Sequence, residues 1–116
     1  MANPFVHVEL QTSDLNKAKK FYKGLFDWKL EDTLMDYTMI NVGDGTGGGM
    51  WVNKDVPPHW LAYVLVEDVE ATTKKAKSLG AKVLKDVTEV PDYGWLSVIS
   101  DPTGAALGLW QPKEGM

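Results

Sequence analysis

No cysteine occurs among the 116 residues, which removes disulfides, thiolate metal ligands and a cysteine nucleophile at one stroke. Positive charge is in deficit as well. Twelve Lys and Arg stand against 16 Asp and Glu, for a net charge of -4. Such a chain has no basic field to hold a phosphate backbone, so nucleic acid is not an expected partner. No run approaches the ~18 apolar residues that a membrane span needs, and no membrane association is expected. The start, Met1-Ala2-Asn3-Pro4, has neither the basic residues nor the apolar stretch of a signal peptide, which makes the cytoplasm the expected location. What is present is ordinary globular material, 44% hydrophobic and 24% charged, of a length that suits one domain over residues 1–116.

Periodicity supplies the organisation. Phe5 to Leu10 alternates strictly, with Val6, Val8 and Leu10 on one face and Phe5, His7 and Glu9 on the other, the pattern of a half-buried strand. Ser13 or Asp14 then caps a helix whose apolar stripe is Leu15, Ala18, Phe21, Tyr22 and Leu25, leaving Lys17, Lys19, Lys20 and Lys23 for water. Strands are expected over 28–34, 37–42 and 49–52, with Gly43-Asp44-Gly45 as a turn. Residues 54–59, holding Pro57 and Pro58, read as a linker. The order then restarts: a strand over 60–66, a helix capped by Asp68 with Val69, Thr72, Ala76 and Leu79 inward and Gly80 as its stop, then strands over 82–87, 94–100 and 105–111. Asp101-Pro102-Thr103-Gly104 has the composition of a type I turn.

The chain therefore repeats itself. Asp14-Leu15 corresponds to Asp68-Val69 and Leu25 to Leu79, and Gly49-Met50-Trp51 answers Gly108-Leu109-Trp110. The expected class is α+β: two tandem βαβββ modules, 4–53 and 60–112, whose curved mixed sheets surround a cleft with the helices outside.

His7-Val8-Glu9-Leu10, the run Ala18 to Phe26, and Ser100-Asp101-Pro102-Thr103-Gly104, set in that repeat, resemble the vicinal oxygen chelate superfamily, which holds glyoxalases, extradiol dioxygenases and bleomycin resistance proteins. Pro57-Pro58-His59-Trp60 and the closing Leu109 to Pro112 are similar to its small glyoxalase-like members. The resemblance implies a homodimer and a small-molecule site in the cleft. It also implies metal ligands at four positions, which fall here on His7, Gly49, Leu61 and Gly108. Only His7 carries a donor atom, so a divalent metal cofactor is not expected, because such chemistry needs three or four N or O ligands. The one alternative set is His7, Glu9 and His59.

Strand parity gives the expected lining. Gly47, Gly49 and Trp51, then Leu61, Tyr63 and Leu65, then Ala106, Gly108 and Trp110 share the His7 face, with Tyr37 and Trp95 as further candidates. Missing side chains at Gly47, Gly49 and Gly108 are expected to leave volume between aromatic walls. The expected ligand-binding set is His7, Glu9, Gly49, Trp51, Leu61, Tyr63, Gly108 and Trp110. Three functions stay open: binding of a small aromatic molecule without metal; an enzyme, either a metal-dependent lyase or isomerase or an acid–base catalyst using His7 and Glu9; or a structural domain whose own tryptophans fill the cleft.

Overall fold

The computed structural model describes residues 2–33 and 36–113. Its elements run β1 (Phe5–Thr12), α1 (Leu15–Leu25), β2 (Lys29–Asp32), β3 (Tyr37–Asn41), β4 (Gly48–Val52), β5 (His59–Leu65), α2 (Val69–Ser78), β6 (Lys82–Val90), β7 (Gly94–Ser100) and β8 (Ala106–Pro112). Two compact units result: Val6–Leu61, called here the N-terminal unit, and Ala62–Met116 with Met1–Phe5, the C-terminal unit. No helix among the described residues is long and apolar enough to cross a membrane.

In the N-terminal unit the strands lie in the order β2-β3-β4-β1, with β1 and β4 parallel and the other neighbours antiparallel. A parallel pair needs a long crossover, and α1, which packs on β2 and β4, belongs to that connection. Asp14 starts the helix by accepting the Lys17 N–H on its side chain. Beneath α1, buried Leu10, Ile40 and Met50 meet Leu15, Ala18, Tyr22, Trp28, Leu30 and Val42.

The C-terminal unit repeats the plan, β5-β8-β7-β6 with β5 and β8 parallel and α2 on β6, β7 and β8. Asp68 caps α2 through the Ala71 N–H, and Gly80, at φ +102, ends it in the left-handed region. Its core is Val66, Val69, Ile99 and Leu109. A buried polar pair, Thr73 Oγ1 and Ser97 Oγ at 2.8 Å, ties α2 to β7.

The α+β class and the two βαβββ modules are thus as the periodicity implies, with corrections in detail. Phe21 and Leu25 are 60% and 56% exposed: only Leu15, Ala18 and Tyr22 of the expected stripe reach the sheet, because a four-stranded sheet is too narrow to cover more of the helix. Leu79 is 69% exposed, since it sits past the last turn of α2 as its C-cap, and Thr73 is buried in the helix instead. Lys19 is half-buried, drawn in by Asp32 at 2.8 Å. His59, placed in the linker, opens β5. The strand expected over 28–34 is shorter, Lys29–Asp32, and Leu34 lies outside the described residues.

Gly48 is a steric requirement. A Cβ there would stand 1.7 Å from the Val8 carbonyl oxygen, a backbone atom that cannot swing aside. Gly48→Ala is therefore expected to lower the melting temperature more than Met50→Ala, which leaves a cavity worth about 2–5 kcal/mol. Thermal unfolding followed by circular dichroism checks the order; equal losses would mean that β1 and β4 can part locally.

Candidate functional site

The β1–β4–β3 register decides which side chains meet. Glu9 lies opposite Gly49, Gln11 opposite Trp51, and Trp51 in turn opposite Tyr37. Residues directly opposed on neighbouring strands share a face, and so do alternate residues along one strand. His7, Glu9, Gln11, Trp51 and Tyr37 accordingly stand on one side of the N-terminal unit's sheet, away from α1.

Gly49 does not leave empty space there. A Cβ on it would stand 2.0–2.2 Å from Cε1, Cζ and Oη of Tyr37, so the tyrosine ring lies on the bare backbone. From that seat the hydroxyl meets His7 Nε2 at 2.6 Å, with the two rings tilted by 23°. In the C-terminal unit Tyr63 occupies the corresponding space over Gly108, 2.3 Å from where a Cβ would be. The expectation that these glycines leave volume is corrected in both units: each is the floor under a tyrosine.

Behind the His7–Tyr37 pair runs a line of hydrogen-bonded polar side chains, buried Glu9 and Gln11 and half-buried Asn53. Gln11 Nε2 donates to Glu9 Oε2 at 3.1 Å, and Asn53 Nδ2 donates to Gln11 Oε1 at 2.9 Å. Glu9 and Gln11 are only 7% and 9% exposed, and such buried polar groups persist because they satisfy one another. Burial pushes the His7 imidazole below its ordinary pKa, while the Glu9 carboxylate pulls it partly back up. The neutral ring is therefore favoured at neutral pH.

Tyr37 and Trp51 also border an open hollow of about 970 Å³, but its remaining lining includes the start of α1 (Asp14, Leu15, Asn16 and Lys19) with Asp32 and Thr38, and His7, Glu9 and Gly49 do not line it. Asp32 accepts from Lys19 and from Thr38, each at 2.8 Å, and these bonds hold its carboxyl below the usual range.

Of the remaining sequence-derived candidates, Leu61 and Tyr63 are buried and Trp110 is half-buried, with Tyr63 opposite Gly108 and Leu65 opposite Trp110. The register thus makes Glu9 and Tyr63 counterparts, each facing a glycine on the last strand of its module. Where β1 carries His7, Glu9 and Gln11, β5 carries Leu61, Tyr63 and Leu65.

A metal at the superfamily's four positions does not fit these residues. His7 offers one nitrogen, Leu61 offers nothing, and at Gly49 and Gly108 the direction a ligand side chain would take is filled by a tyrosine ring. His59 Nδ1 is hydrogen-bonded to the Pro57 carbonyl at 2.8 Å, and among the described residues no three His, Asp or Glu side chains are grouped to hold an ion.

Sequence reasoning missed Gln11 and Asn53. The signal for Gln11 was available, since the polar parity of His7 and Glu9 continues one step past Leu10. Asn53 had none, because its side chain reaches β1 only through the fold.

The architecture is that of a paired-βαβββ protein, and the comparisons assign it further. The chain belongs to the Glyoxalase/Bleomycin resistance protein/Dioxygenase superfamily, whose family model matches residues 5–109. It is 36% identical over 117 residues to CFP32 of Mycobacterium bovis, provisionally named a glyoxylase, covering 92% of this chain and 45% of that protein. It is 25% identical over 132 residues to the anthracycline biosynthesis protein DnrV of Streptomyces peucetius, covering 89% of this chain and again 45% of the other. The chain thus spans about half the length of these curated relatives. Among solved structures, protein BH1468 of Bacillus halodurans superposes with a TM-score of 0.73 at 14% identity, covering 100% of this chain and 99% of that one, a likeness of fold.

Because Glu9 raises the His7 pKa against burial, Glu9→Gln is expected to lower it further, as read from the imidazole resonances in an NMR pH titration. An unchanged or higher value would mean that Glu9 does not raise the His7 pKa. The sign for stability follows from the same shift. The unfolded imidazole takes up its proton first as pH falls, so this contribution is complete above the unfolded pKa of 6.5 and is lost below it.

Proposed function

We propose that the chain binds a small planar aromatic molecule on the His7, Glu9, Tyr37 and Trp51 face of its N-terminal unit, and does so without a metal. The observation that carries this is the seating of Tyr37 on Gly49 with its hydroxyl on His7: where metal-dependent members of the superfamily would project a ligand side chain, this chain has an aromatic and polar wall. Trp51, the cross-strand partner of Tyr37, is half-buried on the same face and gives a flat surface for stacking. The name of DnrV, which refers to biosynthesis of polycyclic aromatic compounds, agrees with an aromatic ligand.

A second reading, an acid–base enzyme, draws on the 2.6 Å His7–Tyr37 bond and on the buried Glu9 carboxylate. In it a neutral His7 takes a proton from a bound substrate and Glu9 stabilises the imidazolium. Loss of turnover in His7→Ala, with binding of the same compound retained, would select this reading over simple binding.

Titration with naphthalene-sized and anthracene-sized aromatics is expected to quench tryptophan fluorescence saturably, with a Kd on the order of micromolar. Trp51→Leu is expected to remove most of that quenching and to weaken binding about tenfold. Absence of saturable quenching by any of these compounds would end the aromatic-binding reading.

A further inference from the structure

We infer that the chain pairs with a second copy of itself through the aromatic surface at the end of α1, about a two-fold axis near Leu25. This surface lies on the helix side of the N-terminal unit's sheet, away from the His7 face, and the inference does not depend on the aromatic-binding reading.

Tyr22, half-buried on α1, has the rings of Phe21, Trp28 and Trp60 at 5.0, 5.6 and 5.5 Å, and Phe26 stands 4.8 Å from Trp28. Phe26 is the C-cap of α1 and Trp60 belongs to the start of β5, so the cluster joins elements distant in sequence. Its outer layer faces water. Phe21 is 60% exposed, Leu25 56%, Phe26 45% and Trp60 39%.

The fold does not require these aromatics. In the register that matches Asp14 to Asp68 and Leu25 to Leu79, Phe21, Tyr22, Phe26 and Trp28 correspond to Lys75, Ala76, Gly80 and Lys82. The C-terminal unit thus builds the same helix and sheet with two lysines, an alanine and a glycine at those places. The aromatic surface is an addition particular to the N-terminal unit, and a contiguous exposed apolar patch of this kind marks an interaction site.

Area and charge favour a second copy as the occupant. A whole aromatic side chain presents about 150–250 Å², so the exposed parts of the four outer residues come to on the order of 400 Å². Interface cores are about 65% apolar, which makes this patch the centre of a contact of about 600 Å² per partner. The total, about 1,200 Å², is the lower end of the range for stable complexes. The rim is self-complementary. Lys23 and Asp27 lie on either side of Leu25 in the chain, and both are exposed. A two-fold axis exchanges the two sides of a patch, so an axis at Leu25 sets Lys23 of each chain toward Asp27 of the other. An anionic membrane is a poorer match, since the chain carries a net charge of -4. The chain also spans about half the length of its curated relatives, which have room for a second domain of this size, and a second copy supplies an equivalent neighbour.

Sedimentation velocity over a concentration series is expected to show a reversible monomer–dimer equilibrium with a Kd on the order of micromolar. Phe21→Lys, which copies the C-terminal unit's residue at an exposed position, is expected to raise that Kd about tenfold with an unchanged circular dichroism spectrum. Lys23→Asp and Asp27→Lys are each expected to weaken pairing by setting like charges together, and the double reversal is expected to restore it. A chain that stays monomeric at every concentration would overturn the inference, whether or not it binds phosphatidylglycerol vesicles. A dimer that Phe21→Lys leaves intact would overturn it too, by placing the contact on another surface. A double reversal that pairs no better than the single ones would overturn the axis at Leu25.

Discussion

Parallel pairing between the first and last strand of each module is the constraint on which everything else in the chain depends. It requires a crossover helix, and so places α1 and α2 on their sheets. It also sets two strands side by side at a point where only glycine fits, since Gly48 runs against the Val8 carbonyl. Once that register is set, Glu9 must face Gly49 and Tyr63 must face Gly108. The character of each face then follows from which residues the first strand supplies.

Here the two modules diverge. One architecture, used twice, carries His, Glu and Gln along β1 and Leu, Tyr and Leu along the corresponding stretch of β5. The core side of each sheet is conventional, apolar and covered by a helix. The row of buried, mutually bonded polar side chains Glu9 and Gln11 lies on the opposite face of the N-terminal unit's sheet. A buried row of this kind is stable only when its members bond one another, which Glu9, Gln11 and Asn53 do. His7 stays neutral more readily than a solvated histidine because water is scarce around it, and the nearby carboxylate limits the effect without reversing it.

The same scaffold supports metal chemistry elsewhere in the superfamily, and fold likeness alone would have suggested it here. At three of the four positions, Gly49, Leu61 and Gly108, the side chain carries no ligand atom, and His7 alone does. Two glycines have become floors for tyrosine rings, and a rigid aromatic wall stands where a ligand carboxylate or imidazole would project. Substituting one residue back would not recreate a ligand set, because the space has been taken by a neighbour from another strand or from the facing one.

The sequence by itself determined the modules, their order and the helix starts, because strand alternation, capping aspartates and Gly80 are local signals whose physics needs no partner. It also placed His7, Glu9, Trp51 and Gly49 on one face, since parity along a strand is a property of the backbone. The width of the helix stripe was not legible: Phe21, Leu25 and Leu79 have the right spacing and remain exposed, because coverage depends on how much sheet lies beneath them. Nor could the sequence say that the space over Gly49 is filled. That was decided by β3, whose register carries Tyr37 diagonally across β4 onto the glycine and within 2.6 Å of His7. Tyr37 and His7 are 30 residues apart along the chain, and only tertiary pairing brings two such residues together.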